Sequence, residues 1–122
     1  MAEFAFPGPI QALPEADISF RGIRGWLLAG ERGQVVFMEI APIGEVPPHA
    51  HGAQWGVVVE GEMVLTIGGE SRTYRKGDSY FIPAGVVHSA LFKSRVLVVD
   101  FFADADRYQP KADAPRAHRP KP

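Results

Sequence analysis

His49 and His51 are separated by one residue in the segment PPHAHGAQW. Side chains alternate in an extended chain, so both imidazoles fall on one side and their neutral nitrogens can converge on a single ion. Gln54 follows three residues later, and His88 closes the segment FIPAGVVH beyond a glycine turn at Gly77. Each has a plain alternative: solvated loop histidines beside Pro47 and Pro48, a rim amide, and a core histidine bonded to a backbone carbonyl. Together they offer three nitrogens and an amide oxygen to one divalent transition metal ion per chain. Zn, Fe, Ni, Cu and, with more water, Mn all suit that donor set. The chain has no cysteine, which excludes thiolate ligands, disulfides and a cysteine nucleophile.

The donor set carries an electrostatic consequence. Three neutral imidazoles and a neutral amide leave the charge of an ion uncompensated, so such a site favours a small anionic ligand, a carboxylate or enolate. No strong general base is visible among the motif residues, because Gln54 takes no proton and the histidines are consumed as ligands. Proton transfer then falls to metal-bound water, Tyr80 or Glu39. Candidates for the pocket wall are Met38, Tyr80, Phe92, Phe101 and Trp26. Alternation sets Trp55 opposite Gln54, turned toward a second sheet or a subunit interface. His118 stands in a proline-rich tail, apart from the other three.

These residues need strands to hold them. The chain contains short runs rich in Val, Ile, Phe and Tyr: ISFRGI, GWLLA, QVVFMEIA, QWGVVVE, EMVLTI, SRTYR, SYFI, VVHSALF and RVLVVDFF. They predict nine strands. The separators GERG, EG, GGE and RKGD are turn formers of hairpin length, and no long amphipathic helix lies between them. With 13 Gly and 11 Pro in 122 residues, the expectation is one all-β domain, an antiparallel jelly-roll β-barrel. The unbroken Val57, Val58, Val59 suggests a strand buried on both faces. Residues 18–104 form the predicted barrel. Residues 1–17, with Phe4, Phe6, Ile10 and Leu13 among prolines, form an apolar N-terminal arm suited to packing on a second subunit. Residues 105–122 form a polar, proline-rich tail, expected to be disordered from about Pro110.

Over residues 35–102 the sequence resembles the cupin superfamily. Its second motif, G-xxxxx-P-x-G-xx-H, is met at every spacing by Gly77, Pro83, Gly85 and His88. Its first is met by Gly44, His49, His51 and Gly61, with a loop one residue shorter before His49 and Gln54 in the place of the acidic ligand. The resemblance implies a metal held by His49, His51, Gln54 and His88 in a barrel that is usually dimeric. The apolar arm and the strand edges such a barrel exposes point the same way, to a homodimer.

The formal net charge is -1, with both signs mixed along the chain, so neither nucleic acid nor an anionic membrane is an expected partner. The N-terminal segment lacks a basic region followed by an apolar stretch, and no run approaches the ~18 apolar residues of a membrane span. A cytoplasmic protein is expected. Two functions stay open: a metalloenzyme acting on a small anionic, oxygen-bearing substrate by dioxygenase- or isomerase-type chemistry, and a noncatalytic ligand-binding or sensing module. A merely structural metal ranks below both, since a barrel of this size holds enough apolar residues to fold without one.

Overall fold

The computed structural model describes residues 4–112 of the chain. Nine strands follow a short helix: α1 (Gly8–Gln11), β1 (Ile23–Gly30), β2 (Gly33–Ile40), β3 (Gly44–His49), β4 (Gln54–Glu60), β5 (Glu62–Ile67), β6 (Glu70–Arg75), β7 (Ser79–Ile82), β8 (His88–Phe92) and β9 (Val96–Phe102). They form a five-stranded sheet in the order β1-β2-β9-β4-β7 and a four-stranded sheet in the order β3-β8-β5-β6. All pairings are antiparallel. The core lies between the sheets, where Val36, Met38, Ile40, Val58, Ile82, Val98 and Phe102 of one meet Met63, Leu65, Tyr74 and Phe92 of the other. This is the all-β jelly-roll architecture expected from period-two patterning.

The strand count agrees, but its membership does not. ISFRGI is not a strand over its length; only Ile23 joins β1. The strand absent from the sequence reading is β3, whose GEVPPH carries two prolines. Proline lacks the N–H that an interior strand must donate, so it is tolerated at an edge. β3 is the edge of the four-stranded sheet, and its register on β8 shifts between Val46 and His49. That irregularity delivers His49 directly opposite His88.

The N-terminal arm docks on its own barrel. Phe6, with Ile10 and Leu13, covers Trp26 and Leu97 on the outer face of the five-stranded sheet, and the Phe6 ring meets Trp26 edge-on with centroids 6.1 Å apart. Val59 packs into this cluster, whereas Val58 faces the core. The arm also shields the edge of β1: Leu27 N–H donates to Pro14 O at 2.8 Å and Ala16 N–H to Gly25 O at 2.9 Å.

The predicted tail is also partly structured. Asp17 N–H donates to Gln109 O at 2.7 Å and Lys111 N–H to Glu15 O at 2.9 Å, so residues 109–111 run back along the arm. Pro110 bridges to Ala16. Of the stretch expected to be disordered, from about Pro110, residues 110–112 are described, and Pro110 and Lys111 have backbone partners far away in sequence. The remainder of the tail, with His118, lies outside the described residues.

Gly56 of β4 is buried on the inner face, and a Cβ there would collide with the Asp100 carboxylate and the Tyr80 hydroxyl. Gly56→Ala should therefore lower stability by about 2 kcal/mol or more, as overpacking does, and urea denaturation measures it. An unchanged midpoint would mean that the two side chains move aside freely.

Candidate metal centre

His49 ends β3, His51 stands two residues into the following loop, and His88 begins β8. The ring centroids lie 5.4 Å (His49–His51), 4.3 Å (His49–His88) and 4.7 Å (His51–His88) apart. One ligand nitrogen from each can be chosen so that all three fall within 4.8 Å of one another.

Local backbone decides which nitrogen that is. His49 Nδ1 lies 2.9 Å from Pro47 O, His51 Nδ1 2.8 Å from Gly52 O, and His88 Nδ1 3.0 Å from Val86 O. A carbonyl only accepts, so each Nδ1 carries the hydrogen and each Nε2 keeps its lone pair. The Nε2 atoms of His51 and His88 are shielded from solvent with no hydrogen-bond partner. Burial, first of all, holds both rings below the usual histidine pKa, which keeps the lone pairs free at neutral pH. Two buried, unpartnered acceptors aimed into one cavity fit a metal ion, and the core-histidine alternative for His88 accounts for Nδ1 alone.

The cavity has a volume of about 100 Å³ and lies at one end of the barrel, between the sheets. Besides the three histidines it is lined by Gln54, Met38, Tyr80 and Phe92, all singled out in the sequence. As alternation predicts, Ala90 and Phe92 line it with His88, and Trp55 points outward, exposed.

Three assignments are corrected. Trp26 is buried, but beneath the N-terminal arm on the outer face. Phe101 also faces outward, because its neighbours Asp100 and Phe102 take the inward positions of β9. Glu39 lies on that outer face as well, paired at 3.0 Å with Arg95, and is not available to the cavity.

The carboxylate missed in the sequence is Asp100, 3% exposed. It accepts a hydrogen bond from the Tyr80 hydroxyl at 2.6 Å and another from the Gln54 side chain. Burial pushes its pKa up to about 6, against the lowering effect of those two donors, and pushes Tyr80 up as well. The signal was present: an acid inside the apolar run VLVVDFF, at the same parity as Val98 and Phe102, is buried with them. Arg107 and Tyr108 also line the cavity, although both belong to the segment read as tail.

Residues 36–101 match the family described as Cupin domain. Similar solved structures include an RmlC-like cupin from Shewanella frigidimarina NCIMB 400, 27% identical, with a TM-score of 0.70 over 88% of this chain and 95% of the other. KdgF from Halomonas sp. is 23% identical, with a TM-score of 0.63 over 75% and 87%. Salicylate 1,2-dioxygenase from Pseudoaminobacter salicylatoxidans, in a structure with gentisate, is 17% identical; its TM-score is 0.64 over 70% of this chain and 26% of that one. No curated protein matches the chain.

Asp100 should leave a mark on stability. Its folded pKa lies above its ordinary value of 3.8, so the folded state binds the extra proton and stability falls as pH rises from about 4 to about 6, by roughly 3 kcal/mol. His51 and His88 act oppositely in metal-free protein: their lowered pKa values make the unfolded state bind more protons, so their contribution is lost as pH falls below about 6.5. Asp100→Asn should remove the downward slope between pH 4 and 6 and leave the histidine-driven rise. Urea denaturation across that range checks it, and an unchanged slope would show that Asp100 is not the group responsible.

Proposed function

The chain belongs to the Cupin domain family, and from that premise we propose that it is a mononuclear metalloenzyme acting on a small anionic, oxygen-bearing substrate. The observation that carries this reading is the pair of buried, unpartnered Nε2 atoms of His51 and His88 beside His49. His49, His51 and His88 would hold the ion through Nε2. Gln54 would add its amide oxygen, because its N–H is spent on the Asp100 carboxylate. A bound divalent ion supplies Lewis acidity and, if it is iron or copper, a site for dioxygen.

The chain's own groups do the rest. The neutral donor set would leave the charge of a bound ion uncompensated and so favour an anion in the cavity, and the apolar wall of Met38, Ile40, Phe92 and Phe102 limits water there. Tyr80 and Asp100 form a hydrogen-bonded phenol–carboxylate pair on the same wall, able to hold a proton close to a substrate. That pair supports an enzyme over a passive binding module, since the acid–base group missing from the sequence motif is present in the fold. Dioxygenase- or isomerase-type chemistry is the reading favoured, and the resemblance to a salicylate dioxygenase supports an acid anion as substrate.

The protein should also be a homodimer. Leu28, Val35, Phe101, Trp55 and Phe81 are successive register partners and form one row across β1, β2, β9, β4 and β7. Leu28 is 53% exposed, Phe101 41%, Trp55 45% and Phe81 58%. Together these four present roughly 400 Å² of side chain, a patch of functional size. The row is centred on the middle strand, so a twofold axis through Phe101 would lay it on a second copy, with Phe81 of that copy entering the groove between Leu28, Arg32 and Phe101.

Mass spectrometry of protein purified without an affinity tag should find about one metal ion per chain, lost in a His49→Ala/His88→Ala double variant. No metal, even after exposure to Fe, Mn, Ni and Zn, would overturn the metalloenzyme reading. Sedimentation should show twice the 13.3 kDa chain mass, and Phe101→Arg, at an exposed position, should give a folded monomer. A wild-type monomer would remove the dimer.

A further inference from the structure

One charged group at the cavity mouth has no part in the metal site. Arg107 follows β9 in the segment that folds back over the barrel, where a two-way clamp holds its neighbour. Gln34 Nε2 donates to Tyr108 O at 2.8 Å, and Tyr108 N–H donates to Gln34 Oε1 at 3.0 Å. Gln34 is itself buried in the five-stranded sheet, so the segment is anchored to a rigid element. The Arg107 guanidinium carbon lies 4.5 Å from the Tyr108 ring centroid and 5.7 Å from that of Phe102. The Phe102 ring in turn lies 5.5 Å from His51. Arg107 lines both the histidine cavity and the wider outer cleft of about 520 Å³ that shares His49 with it.

Two observations ask for a ligand here. The Nε of Arg107 is shielded from solvent with no hydrogen-bond partner, an unfavourable state for a charged donor unless an acceptor arrives. The Asp104 carboxylate accepts from Gly52 N–H at 2.8 Å and makes no ion pair with Arg107.

We propose that Arg107 is a substrate-recognition residue that binds the distal carboxylate of a small acid whose opposite end faces His49, His51 and His88. The chemical class is a short acid with chelating oxygens at one end, such as a 2-oxo acid, and a second carboxylate at the other. The Phe102 and Tyr108 rings, nearly perpendicular to each other, both lie against one side of the guanidinium. Its unpartnered Nε–H, with an Nη–H, can make a paired contact with a planar carboxylate, which a lysine could not reproduce. The proposal rests on the metalloenzyme reading for the chelating end, while the Arg107 contact stands on its own geometry.

The test follows the Arg107 Nε–H resonance of ¹⁵N-labelled protein during titration with 2-oxoglutarate, in metal-free and zinc-loaded forms, with zinc content measured on the same samples. The resonance should shift in both forms. In the zinc form, calorimetry should show 2-oxoglutarate binding at least about tenfold more tightly than 2-oxobutanoate, which lacks the second carboxylate. Arg107→Gln should erase that preference without loss of zinc, and Arg107→Lys should restore it only in part. An immobile Nε–H resonance in both forms overturns the proposal, whatever the zinc content. So does an Arg107→Gln variant that keeps the wild-type preference and loses only melting temperature, which would make the arginine a purely structural clasp. A shift in metal-free protein that takes up no zinc would leave Arg107 as the carboxylate contact and remove the metal reading instead.

Discussion

Three short hydrogen bonds, from His49, His51 and His88 Nδ1 to nearby backbone carbonyls, govern the chemistry of this barrel. Each fixes a tautomer and leaves an Nε2 lone pair free, and those of His51 and His88 are buried in the cavity with nothing to accept from. That arrangement is unfavourable by itself, because buried acceptors prefer a donor. The surrounding barrel makes it tolerable: β3 and β8 are paired through Val46–Ala90 and His49–His88, and the walls behind them are well-packed Met38, Ile82 and Phe92. The irregular register of β3 is part of the same solution, because a regular edge strand would not bring His49 opposite His88.

The opposite wall of the cavity has a different cost. Tyr80, Asp100 and Gln54 sit on three adjacent strands, β7, β9 and β4, joined by hydrogen bonds across a surface otherwise apolar. Gly56 leaves the space in which the Asp100 carboxylate and the tyrosine hydroxyl meet. A carboxylate so deeply buried opposes folding once ionised, and retaining it in the inward row of the central strand is the pattern of a functional residue more than of a stabilising one.

The two faces of the five-stranded sheet divide the work. The inner face holds the polar wall and the core. The outer face is shared between the N-terminal arm, which covers Trp26 and Leu97, and the bare row running from Leu28 to Phe81. Residues 15–17 of the arm and 109–111 of the returning segment also lie against each other, tied together beside the cavity mouth. Through this tie Arg107 and Tyr108, remote in sequence from both histidine motifs, become part of the cavity wall.

Much of this was legible from residue order because it depends on neighbours along the chain. The period of two placed Gln54 and Phe92 inward and Trp55 outward, and the histidine spacings gathered His49, His51 and His88 once a barrel was assumed. The parity that makes Asp100 an inward residue was also available, though its meaning depended on knowing that β9 lies in the middle of the sheet. Tertiary structure alone decided the remainder. β3 is a strand only because an edge tolerates Pro47 and Pro48, and Trp26 and Phe101 lie outside because inward positions were already taken by their neighbours. Arg107 reaches the cavity only because Tyr108 finds Gln34, a partner 74 residues away. Local periodicity sets which side of a strand a residue takes; which side is buried, and what closes over it, depends on contacts between segments that no local pattern encodes.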